Sequence, residues 1–335
     1  MGIESLFIEL LILSMGMGTF FDHESNYIYE IDENMNTKKT DYYAVFEKNP
    51  TYEGGSRYCF IGNIKNKYGQ DSTPNMFPTG KCAVKVFKDG RAYDYFDIQN
   101  DLNNTKYSQK VSEIFNSGNY INKKLFFTNI YLTSFEKSAI FNFFEKRTFN
   151  KNEYLIIEPH IDGKYEKFVS NSGWTKGNIG ITIPLFMHWN WVYSKGQKLV
   201  TDIQGVKKEY IYELTDPAVQ SINQEYGNTD LGIIGLIYFL ITHKHNKYCR
   251  SLPWPSYLEI IEIEDALKEL SMMEKKTTYG SKYDKNKEIE ELYLKIIDST
   301  FNNDSNAHDN IIIFLIIFIF VISLIIRINI KKKIG

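Results

Sequence analysis

Two carboxylates and an amide are the side chains in this sequence best equipped for chemistry. Asp202 and Gln204 stand two apart in Asp202-Ile203-Gln204-Gly205-Val206, at the end of a β-rich run. Asp216 follows on a turn in Leu214-Thr215-Asp216-Pro217. On extended backbone Asp202 and Gln204 project to the same side. A carboxylate beside an amide oxygen can hold Mg²⁺ or a proton in flight, and two Asp with a Gln make an oxygen-only set suited to a hard cation. Lys85 is a lone cation at the centre of the apolar run Lys81–Lys88. It reads as a point charge for phosphates, or as an edge-strand lysine that discourages pairing. Gly54-Gly55 before Arg57 lets backbone N–H groups approach a phosphate, and serves equally as a hairpin turn. His243-x-His245-x-x-x-Cys249, with His188 upstream, gathers three of the six histidines and one of the three cysteines. Imidazoles plus a thiolate suit tetrahedral Zn²⁺, the alternative being scattered surface residues. His245 and Cys249 are four apart, which on a helix puts them on one face.

These groups need elements to carry them. Residues 52–60 read as strand, tight loop, strand, and Lys81–Lys88 as a strand closed by the turn dipeptide Asp89-Gly90. Val111, Ile114 and Phe115 share a face if residues 103–116 are helical. Residues 123–132 and 153–157 read as further strands, the latter stopping at Pro159 in what looks like a linker between two units. The first half is thus expected to be a mostly antiparallel sheet with one helix. In the second half, 182–193 and 230–247 read as helices and 198–203 as a strand running into Gly205. Residues 258–273 read as an amphipathic helix, and 274–310, rich in Asn and Lys, as a polar stalk. No internal repeat is visible.

With 335 residues the chain is long enough for about two compact units, and 43% hydrophobic against 24% charged residues excludes wholesale disorder. Lys and Arg number 39 against 41 Asp and Glu, so there is no global basic field and nucleic acid is not the expected partner. Three cysteines cannot make a disulfide framework and favour a reducing compartment. Ile311–Ile326 is apolar except for Ser323. Extended to Ile330 it reaches about 30 Å as a helix, the thickness of a bilayer core, with Arg327 snorkelling and Lys331–Lys333 ending the span. It is expected to be a tail anchor in a thin membrane such as the endoplasmic reticulum. Leu6–Phe21 is a second apolar run, interrupted by Glu9 and without a basic flank, so it reads either as a signal or as a packed helix. The lysines after the span favour a cytosolic C-terminus, whereas the free thiols favour a cytosolic domain, which is the placement expected here.

The order and wording of these motifs resemble the alpha-kinase family, the atypical kinases that include myosin heavy chain kinases and elongation factor 2 kinase. The resemblance runs from about Tyr52 to Cys249. It is strongest in Glu158–Gly173, then in Asp202–Val206, Leu214–Pro217, Tyr226–Gly235 and the His/Cys cluster. It implies an α+β, two-lobed, protein-kinase-like fold with an antiparallel-sheet N-lobe and a zinc-stabilised C-lobe. The corresponding segments are residues 1–24 (apolar), 25–157 (N-lobe), 158–256 (C-lobe), 257–310 (helix and stalk) and 311–330 (membrane helix). By the resemblance Gly54, Gly55 and Arg57 cover the phosphates of ATP and Lys85 contacts the α- and β-phosphates. Glu158 lies at the adenine end, Asp202 orients or deprotonates the acceptor hydroxyl, and Gln204 and Asp216 hold Mg²⁺. His188, His243, His245 and Cys249 hold Zn²⁺. The family usually has Cys where this chain has His245. Zinc accepts either, the alternative being a weakened or lost site. No N-lobe acidic partner for Lys85 is evident. The expected activity is a membrane-tethered, ATP-dependent serine/threonine protein kinase, with a tethered pseudokinase or nucleotide-binding scaffold as the alternative.

Overall fold

The structure is a computed structural model that describes residues 26–302, apart from 47–49, 135–138, 143–146, 150–152, 174, 176, 178 and 275–278. Both terminal apolar runs, Leu6–Phe21 and Ile311–Ile330, lie outside the described residues, among which no helix is long and apolar enough to cross a membrane. The strands of the first half are β1 (Tyr27–Ile31), β2 (Thr37–Phe46), β3 (Tyr52–Glu53), β4 (Arg57–Asn66), β5 (Lys81–Phe87), β6 (Lys124–Phe127), β7 (Tyr131–Ser134), β8 (Ala139–Asn142), β9 (Arg147–Phe149) and β10 (Tyr154–Pro159). Helix α1 (Tyr95–Ser117) lies between β5 and β6. The second half adds β11 (Tyr165–Lys167), α2 (Thr182–Tyr193), β12 (Lys198–Thr201), β13 (Gln204–Lys207), β14 (Ile211–Thr215), β15 (Ala218–Ser221), α3 (Ile233–Thr242), α4 (Tyr257–Glu274) and α5 (Tyr279–Phe301).

The N-lobe sheet has the order β2-β1-β7-β10-β5-β4-β3, and β2 also pairs with β4, so the sheet closes on itself. Every pairing in it is antiparallel. β5 is paired on both sides, by β4 and β10, which excludes the edge-strand reading of Lys85. In the C-lobe, β11-β13-β14-β6 form a second sheet and β12-β15 a two-stranded ribbon. Two apolar cores result. One is built around Phe46, Phe60, Val84 and Leu155, the other around Phe186, Trp191, Leu199 and Leu214. Helix α1 spans both, with Ile98 and Leu102 in the first and Val111 and Phe115 in the second. A capping box starts it, Asp94 and Asp97 each accepting from the other's backbone N–H. That carries the helix two turns further upstream than its apolar face alone predicts.

Three expectations are corrected. Residues 123–132 are not one strand. β6 pairs in parallel with β14 of the C-lobe and β7 with β1 and β10 of the N-lobe, so the chain changes sheet at Thr128–Ile130. The helix expected over 230–247 ends at Thr242, and His243 is extended (φ −65°, ψ 128°). Residues 279–301 are a helix, not a stalk, and Ile289, Tyr293 and Ile296 are buried in the C-lobe core. The Tyr293 hydroxyl accepts from Trp191 Nε1 at 2.9 Å and donates to the Gly196 carbonyl at 2.7 Å. Polar composition concealed this face because only every third or fourth residue of α5 points inward.

Candidate active site

Strand parity assembles the roof of a cleft. Cys59 on β4 is opposite Lys85 on β5, and Lys85 is opposite Ile156 on β10. Side chains alternate along each strand, so Arg57, Cys59, Lys85 and Glu158 share one face. The floor is built the same way, with Lys167, Gln204 and Thr215 in register across β11, β13 and β14. Asp202 immediately precedes β13 and Asp216 follows β14. Both have left-handed backbone, φ 51° and 53°, a conformation that Asp tolerates better than most residues. Asp202 is therefore not on extended chain, and the turn rather than strand parity brings it to Gln204. Gly205 (φ 146°) is required, because a Cβ there would lie 2.1 Å from the Glu213 carbonyl oxygen.

Roof and floor meet through charge. Lys85 Nζ is 2.8 Å from Glu158 and 3.0 Å from Asp216. Glu158 is therefore the acidic partner of Lys85, and its carboxylate also accepts from the Thr215 hydroxyl. Arg57 is 2.8 Å from Asp101 of α1 and 3.4 Å from Asp216. Burial pushes the Asp216 carboxyl up, but Lys85 and Arg57 more than offset this and hold it at about 2. Burial likewise disfavours the Lys85 ammonium, yet Asp216 and Glu158 outweigh it and the lysine stays charged. Glu158 is pushed up by burial, against the pull of Lys85. Asp202 is 2.6 Å from Lys167. Burial raises its carboxyl above the ordinary carboxylate range, and Lys167 only partly reverses this. Gln204 donates through Nε2 to the Asp216 carbonyl at 3.2 Å and to Asp202 at 3.4 Å. That commits its nitrogen and leaves Oε1 as the group with capacity for a hard cation. Gly54 and Gly55 form the β3–β4 hairpin tip, closed by Gly54 N–H donating to the Arg57 carbonyl at 2.8 Å.

The second constellation lies in the C-lobe. The donor atoms of His188, His243, His245 and Cys249 all lie within 4.8 Å of one another. His188, on α2, makes its bond to the Pro253 carbonyl through Nε2 at 3.0 Å. A carbonyl only accepts, so Nε2 carries the hydrogen and Nδ1 keeps its lone pair. Nδ1 is buried and has no hydrogen-bond partner. Cys249 Sγ is 3.7 Å from His243 Nε2 and 3.8 Å from His245 Nδ1. A tetrahedron with Zn–S of about 2.3 Å and Zn–N of about 2.0 Å has an S···N edge of roughly 3.6 Å, so the donors fit that ion. Burial lowers His188 to about 4 and His243 to about 3, which keeps both imidazoles neutral. No helix brings His245 and Cys249 together. The extended turn after α3 does.

The alpha-kinase family model matches residues 52–249. The chain belongs to the alpha-kinase family. Alpha-protein kinase vwkA of Dictyostelium discoideum is 41% identical over 104 residues, which is 30% of this chain and 17% of that protein. The chain therefore spans a small part of such relatives, 14% in the case of alpha-protein kinase 1 of the same organism. Among solved structures, an alpha kinase from Entamoeba histolytica superimposes with a TM-score of 0.55 at 23% identity, covering 71% of this chain and 94% of that one. The alpha-kinase domain of myosin heavy chain kinase A, in a complex with ADP, gives 0.54 at 21% identity, covering 68% and 95%. These likenesses show the alpha-kinase fold, a kinase-like α+β fold with an antiparallel sheet. Two cleft residues escaped the sequence reading, Asp101 and Lys167. Lys167 had a local signal, since it alternates with Tyr165 on a short strand ahead of the Asp202 motif. Asp101 had none, because one more acid on a polar helix is unremarkable until Arg57 is seen beside it.

Proposed function

We propose that this alpha-kinase is an active, ATP-dependent serine/threonine protein kinase. The observation that carries the reading is the meeting of Lys85, Glu158, Arg57, Asp216, Asp202, Gln204 and Lys167 in one cleft. Phosphoryl transfer needs positioning and neutralisation of charge more than covalent work by the protein, and this set supplies both. Asp202, its proton affinity raised by burial, is suited to take a hydrogen bond from an acceptor hydroxyl and to draw off its proton. Lys167 holds that carboxylate in place. Gln204 and Asp216 would hold Mg²⁺, whose charge screens the phosphates. Lys85 and Arg57, both already aimed at Asp216, are the cations for phosphate oxygens, with the Gly54–Gly55 turn above them. Glu158 fixes Lys85, and its place at the end of β10 suits the adenine side of the cleft. His188, His243, His245 and Cys249 would hold Zn²⁺, which ties the turn after α3 to α2. The apolar Ile311–Ile330 run supports a membrane tether with the catalytic domain in the cytosol.

The test is transfer of γ-phosphate from ATP to a panel of serine and threonine peptides. Wild type should transfer, and Asp202→Ala should fall by at least about 100-fold while unfolding at the same temperature. Equal activity in the two proteins sinks the reading. Protease treatment of sealed membranes tests the tether, and an N-terminal tag that survives digestion rejects the cytosolic placement.

A further inference from the structure

The loop between β15 and α3 is clamped from two sides. On the C-lobe side the Asp230 carboxylate accepts from the Ser221 N–H (2.9 Å) and hydroxyl (2.6 Å) and from the Tyr226 (3.2 Å) and Gly232 (2.9 Å) N–H groups. Asn171 donates to the Thr229 carbonyl at 2.8 Å and accepts from the Thr201 hydroxyl at 3.2 Å. Thr201 is the residue before Asp202. The loop is therefore hydrogen-bonded, through Asn171, to the strand end that delivers the proposed base.

The other side is held by α1. Asn104 is buried, 3% exposed, and its amide is fully used. Oδ1 accepts from the Val219 N–H at 2.7 Å, and Nδ2 donates to the Tyr226 carbonyl at 3.1 Å and to the Asn100 carbonyl at 2.8 Å. Because Oδ1 faces an N–H, the amide has only one satisfying orientation. One turn earlier, a Cβ on Gly227 (φ 81°) would come within 2.3 Å of Asn100 Nδ2, so the loop lies directly on the helix. Asp101, three residues before Asn104, holds Arg57 at 2.8 Å. One face of α1 thus grips both the arginine beside Asp216 and the loop beside Asp202. The side chains of Asn228 and Thr229 stay exposed on that loop.

We propose that Asn104 is a positioning residue that sets the 226–232 loop as a rigid rim for the acceptor peptide, at a fixed distance from the phosphate side of the cleft. This rests on the kinase reading. The Asn side chain supplies one acceptor and one donor to two backbone groups that would otherwise be buried unpaired, and such groups are costly to leave unmet. Without it the loop remains attached to the C-lobe but loses its reference to α1. The acceptor then reaches Asp202 in a broader range of poses, and transfer is sensitive to such displacement.

The test uses the full chain with Asn104→Asp and Asn104→Ala, and Asn103→Asp as a control that adds the same charge on the exposed side of α1. Aspartate at 104 keeps the acceptor for Val219 and turns an oxygen toward the Tyr226 carbonyl. The probe is a synthetic peptide with one threonine flanked by lysines. For both Asn104 variants kcat/KM for the peptide should fall about tenfold or more, with KM for ATP within about twofold of wild type. Asn103→Asp should match wild type. Amide hydrogen exchange without substrate should rise over 226–232 and not in β4, β5 or β10. A purely structural role would instead lower the unfolding temperature, raise exchange throughout and shift both KM values together. Peptide kcat/KM unchanged in both variants while wild type is active overturns the inference alone. No transfer by wild type overturns the kinase reading and the inference with it, and unchanged loop exchange overturns the clamp whatever the activity.

Discussion

Replacing Lys85 by Met removes a cation from between two carboxylates. Lys85 Nζ lies 2.8 Å from Glu158 and 3.0 Å from Asp216, with side-chain exposures of 9% for Lys85, 3% for Glu158 and 38% for Asp216. Methionine has similar length and volume, so the charge is the main loss. The Asp216 contact adds little to stability, because solvent screens so open a carboxylate. The Glu158 contact dominates, since a buried carboxylate stripped of its partner costs about 3–5 kcal/mol. For a domain of this size that corresponds to a fall in Tm of roughly 6–20 °C. The penalty has a definite pH sign. Burial already raises the Glu158 carboxyl with Lys85 present, and losing Lys85 raises it further. A carboxyl whose folded pKa exceeds its unfolded value of about 4.3 destabilises the fold when ionised. The loss is therefore full above the folded pKa and fades as pH falls toward the unfolded one. Denaturant unfolding of wild type and Lys85→Met at about pH 8 and about pH 5 should show the gap narrowing at the lower pH. Adding Glu158→Gln, which keeps a partner for Thr215, should recover most of the loss at the higher pH. A gap independent of pH, or no recovery in the double variant, refutes the charge argument.

Two further predictions concern the C-lobe. Cys249→Ser should yield protein that is largely insoluble or unfolded, because metal binding contributes folding free energy directly; elemental analysis of wild type should find one zinc per chain, and His245→Cys should retain it. Tyr293→Phe leaves Trp191 Nε1 and the Gly196 carbonyl buried without their partner, so unfolding should show a loss of about 1–3 kcal/mol, whereas a chain ending at residue 256 should not fold, since it strips α4 and α5 from the core.

Residue order alone determined which groups are available for chemistry and in what local setting. The Asp202 and Asp216 motifs, Lys85 within a strand, the hairpin at Gly54–Gly55 and the helix over 182–193 were all legible. Each depends on a short-range rule: strand or helix period, a turn dipeptide, or a proline that stops a strand. The likeness of several such motifs in one order also made the family legible. Tertiary structure decided the partnerships. Glu158 reaches Lys85 because β10 pairs with β5 in a register that puts both on one face, and register is a property of the closed sheet rather than of either strand. Arg57 meets Asp101 only once α1 packs across both cores. His188 joins His243, His245 and Cys249 because the chain leaves α3 in an extended turn, where local spacing suggested a helix. The 279–301 helix was hidden for a related reason. Its buried stripe of Ile289, Tyr293 and Ile296 is narrow, and composition averages over a stripe that only a packing partner such as Trp191 makes visible.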